Sequence, residues 1–161
     1  MRYLINDKFV DGNDAPILFY CGNEDDVDVY YANTGYITDT LPASMKALVV
    51  FGEHRYYGKS MPFGDKSFIP ENVRFLTVYH TMMDYVKLIQ FIKYSDVKYK
   101  NSPVIAVGGS YGGMMASWMR MKYPHIIAGA YASSAPILFF QGTVSPYAYN
   151  DLVTRTFRDA V

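Results

Sequence analysis

The sequence predicts an α/β fold built on a mostly parallel sheet. Two observations carry that expectation: four short, continuously apolar runs of strand length, and helical patterns lying between them. A third supports it: polar, glycine-containing loops follow the ends of the first two runs, where open α/β sheets bind ligands.

The first run is Ala15 to Cys21, APILFYC, with DGND before it and GNEDD after it. Apolar residues at successive positions fit a strand buried on both faces. Val29 to Lys46 carries a weaker helical pattern, interrupted by Gly35 and Pro42. Ala47 to Phe51, ALVVF, is the second run, and Glu53-His54-Arg55-Tyr56-Tyr57-Gly58 follows it. From Val78 to Ile92, apolar residues at 78, 82, 85, 86, 89 and 92 make one helical face, with Thr77 as its N-cap. The loop Asn101-Ser102-Pro103 leads into the third run, Val104 to Val107. Met114, Met115, Trp118 and Met121 repeat the helical spacing, which Pro124 ends. Ile126 to Ala132 is the fourth run. Strands alternating with helices imply βαβ units with right-handed crossovers. From Phe139 onward the rhythm breaks into a loop, and Tyr149 to Val161 is expected to open a new helix. Residues 1–138 therefore read as one unit and 139–161 as the start of another.

Composition bounds the function. Half of the 161 residues are apolar, 19% are charged and the formal net charge is zero, as for a globular chain. No basic block points to nucleic acid, and no apolar run is long enough to predict a membrane span. The single cysteine, Cys21, can form neither an internal disulfide nor a metal cluster, and it reads as packing. The N-terminal MRYLINDKFVDGN has no basic segment followed by an apolar stretch, so no signal peptide is expected in it.

Gly108-Gly109-Ser110-Tyr111-Gly112 fits G-x-S-x-G between a buried strand and an amphipathic helix. A sharp strand-to-helix turn forces the serine into strained backbone and excludes a side chain two positions to either side. The alternative is a glycine-rich turn that holds a serine by chance. A dinucleotide fingerprint would need glycine at position 110, and a phosphate-binding loop would need a following Gly-Lys-Ser/Thr. Ser110 is thus the candidate nucleophile. The backbone N–H of Tyr111, at the positive end of the helix, is a candidate oxyanion donor, and Gly22 or Asn23 is the candidate second donor. Glu24 is a candidate cleft residue. Asp25 and Asp26 read as a solvated acidic turn, His54 as a satisfied histidine beside Arg55, and His80 and His125 as structural.

A serine hydroxyl needs a base, and the base needs an orienting carboxylate. In α/β-hydrolases their order is Ser, then Asp or Glu, then His. Only His125 follows Ser110, ahead of Asp151 and Asp159, and it sits beyond the far end of a helix roughly 18 Å long. The triad is expected to be incomplete in this chain.

The stretches PILFYCGNED, EHRYYGKSMPFGDKSF, GGSYGGMMASWMRMKYPH and GAYASSAPI occur here in the order found in one family. The chain resembles the serine carboxypeptidase family that contains the Pro-X carboxypeptidases and dipeptidyl peptidase II. The resemblance spans Arg2 to about Leu138. It implies an α/β-hydrolase, represented by its N-terminal part, with residues 139–161 entering a helical cap. It implies proline-directed exopeptidase activity on peptide substrates through Ser110, with no metal or cofactor, in lysosomes or outside the cell. It places Gly22-Asn23-Glu24 at the active-site border and the triad's Asp and His beyond Val161. Asp25 stands where that family usually has glycine. The other readings are an esterase on the same fold and a catalytically inactive binding or scaffold protein. The open sheet edge leaves a homodimer possible.

Overall fold

The computed structural model describes residues 1–160; Val161, the expected end of the last helix, lies outside them. Strands β1 (Tyr3–Asn6), β2 (Ile17–Cys21), β3 (Leu48–Gly52), β4 (Val104–Gly109) and β5 (Gly129–Ser133) form one sheet, ordered β1-β3-β2-β4-β5. β1 is antiparallel to β3, and every other pairing is parallel. The expected α/β architecture is therefore the observed one.

The register sorts the core. Ile17 lies beside Leu48 and Val104, and Leu18 beside Val49 and Ile105, so alternate residues of three strands share a face. On one face Ile17, Phe19, Cys21, Leu48, Val50 and Ala106 pack under α4 (Val78–Ser95) and α5 (Ser110–Lys122). On the other, Leu18, Tyr20, Val49, Phe51 and Val107 meet Val27 of α1 (Val27–Asn33) and Ile37. Each fully buried aromatic or branched side chain contributes about 1.5–3 kcal/mol. Burial on both faces is why β2 and β3 read as unbroken apolar runs.

Thr77 caps α4 as expected, its hydroxyl accepting from the His80 N–H at 3.2 Å. The weak helical pattern from Val29 to Lys46 resolves into α1, a wide turn over Tyr36–Thr40 and α2 (Leu41–Met45). Pro42 starts α2 instead of breaking it, because the first turn needs no N–H donor. Lys46, at φ 53°, ends it.

Three features depart from expectation. β1 was not foreseen: it is four residues long and half exposed, so it shows no apolar run. The short α3 (Pro70–Val73) was also unforeseen. The fourth run overshoots, since β5 begins only at Gly129; Ile127 is buried in the core but precedes the strand. β5 is the last strand of the sheet, and Tyr131 on it is half exposed beside Tyr36. α6 (Ala148–Asp159) buries none of its residues.

One buried carboxylate ties the loops together. Glu53, fully buried just past β3, accepts from the Val27 N–H at 3.2 Å, the Lys59 N–H at 3.1 Å and the Ser60 hydroxyl at 2.6 Å. Arg2 reaches it at 3.4 Å while also holding Asp26 and Asp28. The exposed Lys46–Asp11 pair lies in solvent and is screened. Glu53→Ala orphans three donors at about 1–3 kcal/mol each, so denaturant titration is expected to show a loss of about 3 kcal/mol or more. Asp11→Asn is expected to leave the midpoint unchanged in the same titration.

Candidate active site

Three loops at the carboxyl ends of β2, β3 and β4 converge on Ser110. The serine is exposed and takes φ 53°, a left-handed conformation that side chains rarely adopt. Its neighbours impose that geometry. A Cβ on Gly108 would collide with the Gly112 carbonyl and lie 2.7 Å from the Gly113 nitrogen. A Cβ on Gly112 would lie 2.5 Å from both the Cys21 carbonyl and the Asn23 side-chain oxygen. A Cβ added to Gly109 would meet nothing within 4 Å, so the two glycines flanking at distance two are the ones the turn requires. This is the steric arrangement expected of a nucleophile elbow.

α5 starts at Ser110, so the N–H groups of its first turn, including that of Tyr111, have no intrahelical acceptor. They form a positive helix end beside the hydroxyl. Of the two candidates for the second oxyanion donor, Gly22 is corrected by the structure. Its N–H donates to the Gly52 carbonyl at 3.0 Å, continuing the β2–β3 pairing, and its own carbonyl accepts from the buried Tyr85 hydroxyl at 2.9 Å. The Asn23 N–H has no partner among the described residues. The Asn23 side chain is buried, and its amide donates to the Gly109 carbonyl at 2.7 Å, tying the loop after β2 to the elbow.

Glu24 is exposed at the loop tip. Burial first, and the Glu24 charge second, push the Tyr111 phenol up to about 12. Asp25 is exposed, as a solvated turn requires. Asp26 is not simply solvated: it caps α1 by accepting from the Asp28 N–H at 2.9 Å and pairs with Arg2. Cys21 packs against Met119 with its sulfur 3.7 Å away, and burial pushes its thiol far up.

None of the three histidines is hydrogen-bonded to Ser110 among the described residues. His54 is buried and held by the Arg55 carbonyl, the Tyr111 hydroxyl and Thr81. His80 bonds Thr77 at the start of α4. His125 is exposed just past the far end of α5. No group of three or more His, Cys, Asp or Glu that could hold a metal ion occurs among the described residues, and no described helix is long and apolar enough to cross a membrane.

The Asn23–Gly109 and His54–Tyr111 contacts were not anticipated from sequence. Each joins residues more than fifty positions apart, and only the topology brings them together.

Comparison with known proteins agrees with this geometry. The family model for serine carboxypeptidase S28 matches residues 1–160. The chain is 48% identical over 158 residues to lysosomal Pro-X carboxypeptidase of Homo sapiens, covering 98% of this chain and 32% of that protein. It is 44% identical to prolyl carboxy peptidase like protein 5 of Caenorhabditis elegans, covering 99% of this chain and 32% of that protein. It is 36% identical to thymus-specific serine protease of Mus musculus, covering 96% and 29%. The chain thus spans about a third of the length of these relatives. Among solved structures, the putative non-heme bromoperoxidase BpoC of Mycobacterium tuberculosis superposes with TM-score 0.57 at 15% identity, covering 99% of this chain and 49% of that one. That likeness concerns the fold alone, which is the α/β-hydrolase fold. The chain belongs to the serine carboxypeptidase S28 family.

Proposed function

We propose that Ser110 is the nucleophile of a lysosomal serine carboxypeptidase that cleaves peptides next to proline. The observation that carries this reading is the exposed serine at φ 53°, set at the amino end of α5 by two glycines that admit no side chain. The names of relatives, lysosomal Pro-X carboxypeptidases, support the proposed substrate class and compartment.

The chemistry follows from the elbow. Ser110 Oγ attacks the carbonyl carbon on the carboxyl side of proline and gives its proton to a base. The carbonyl electrons move to oxygen, where the N–H groups of Tyr111 and Asn23 stabilise the developing charge. The C–N bond then breaks, the amine leaves with the proton, and water hydrolyses the acyl ester. On this reading the base and its carboxylate come from residues outside those described, because His54, His80 and His125 are committed elsewhere or distant. Glu24 lies at the border of the cleft.

A second reading is a catalytically inactive binding or scaffold protein, in keeping with His54 and His80 bonding groups other than Ser110. A fluorophosphonate probe, which reacts with activated serines, separates the two. The peptidase reading predicts labelling of a family-length protein carrying this chain, abolished by Ser110→Ala along with cleavage of a Pro-X substrate. It predicts no labelling of the purified, folded 161-residue chain above its Ser110→Ala control. A family-length protein that resists the probe and cleaves no peptide would support the inactive reading. Labelling of the short chain lost in Ser110→Ala would show that the base is in this chain or a second copy of it.

A further inference from the structure

One polar contact behind the elbow belongs to a residue with no place in the mechanism above. We infer that His54 is a positioning residue: by accepting the Tyr111 hydroxyl, it fixes the backbone of the residue whose N–H serves the oxyanion. This rests on the reading of Ser110 as nucleophile and deepens it.

The proton inventory gives the direction of each bond. His54 Nδ1 lies 2.6 Å from the Arg55 carbonyl. A carbonyl only accepts, so Nδ1 carries the proton. Neutral imidazole then offers Nε2 as a lone pair, and the Tyr111 hydroxyl, 3.1 Å away, donates to it. Thr81, 3.2 Å from the same nitrogen, also has the Thr77 carbonyl at 3.0 Å to receive its hydroxyl proton. The tyrosine therefore supplies the proton that Nε2 needs.

The imidazole is itself held. It is almost fully buried, with Tyr57 edge-on at 5.1 Å between ring centres. Arg55, whose carbonyl orients it, is pinned by Asp84 on α4 at 2.7 Å and by the Phe75 carbonyl at 3.0 Å. A continuous path thus runs from Asp84 through Arg55 and His54 to Tyr111. The Gly108 and Gly112 contacts and the Asn23 bond restrain the positions around Ser110. The His54 bond restrains the side chain of the donor residue, beside a serine whose backbone is strained.

The charged and titratable groups facing His54 are Arg55 on its own loop, Asp84 on α4, the phenol of Tyr57 and that of Tyr111 on α5. Burial dominates and lowers the His54 pKa, and Arg55 adds to it, against opposing contributions from the Arg55 carbonyl and Asp84. The shift favours the neutral ring that the acceptor role demands. Protonation would place the ring's second proton on Nε2 and reverse the bond to Tyr111.

The test uses a family-length protein carrying this chain, with initial rates on a Pro-X substrate and thermal unfolding measured in parallel. Tyr111→Phe removes one hydroxyl and leaves the packing. It is expected to lower kcat by about tenfold to a hundredfold, the range for small misplacements of a reacting group, with KM changed less than about threefold. His54→Leu is expected to do the same, and the double variant to be no worse than either. His54→Gln, whose carbonyl can accept the same proton, is expected to recover most of the loss. Unchanged kcat in Tyr111→Phe would overturn the inference, as would additive losses in the double variant, or a Gln variant as slow as Leu with equal unfolding temperatures. Ser110→Ala run alongside separates the failures: cleavage surviving in Ser110→Ala defeats the nucleophile assignment itself.

A stability profile gives a second readout. A histidine whose folded pKa is lowered supports the fold fully above its unfolded value of about 6.5, and that support is lost as pH falls toward the folded value. The His54→Gln protein is expected to show a shallower decline below about pH 6.5 than the parent. Parallel profiles would contradict the buried neutral ring.

Discussion

Everything at the site depends on how closely α5 approaches β2. Gly112 sits where a single added carbon would touch the Cys21 carbonyl and the Asn23 side chain. Gly108 sits where one would strike the first turn of α5. Because neither carries a side chain, the chain reverses from strand to helix within one residue, and Ser110 occupies that residue at φ 53°. A wider turn would lower the strain and lose the geometry. The hydroxyl would no longer stand at a helix end whose N–H groups have no other acceptor.

The surrounding fold supports that approach. Parallel pairing puts the carboxyl ends of β2, β3 and β4 at one edge, so the loops after them meet without any having to be long. Each loop is then fastened by a buried polar contact. Asn23 binds the Gly109 carbonyl, Glu53 gathers Val27, Lys59 and Ser60, and His54 receives Tyr111. Buried polar groups of this kind are costly when unpaired, so a loop displaced from its partner strands a donor or acceptor. The contacts specify one arrangement of the loops, and the apolar core beneath supplies most of the stability.

Much of this was legible in the sequence because its signals are local. Four of the five strands announce themselves as apolar runs, and the elbow as glycines two positions either side of Ser110. β1 escaped because a half-exposed edge strand of four residues, Tyr3–Asn6, has no such run. Pro42 misled because a proline that starts a helix looks in sequence like one that ends it. Gly22 was a reasonable oxyanion candidate until the pairing with Gly52 claimed its N–H. The roles of Glu53 and His54 were hidden for a common reason: each depends on partners brought near by the topology, and no spacing along the chain encodes them.

The central claim is steric, and thermal unfolding of Gly112→Ala against Gly109→Ala tests it most directly. Gly112 lies inside α5, where alanine is ordinarily favoured over glycine by about 1 kcal/mol. Gly109 lies in extended backbone with open space where a Cβ would stand. The account predicts that Gly109→Ala keeps the parent unfolding temperature or raises it slightly. It predicts that Gly112→Ala lowers that temperature by about 4 °C or more, against its helix propensity. A Gly112→Ala protein as stable as the parent, or more so, would mean that α5 does not approach β2 as closely as described. The elbow would then lose its physical basis.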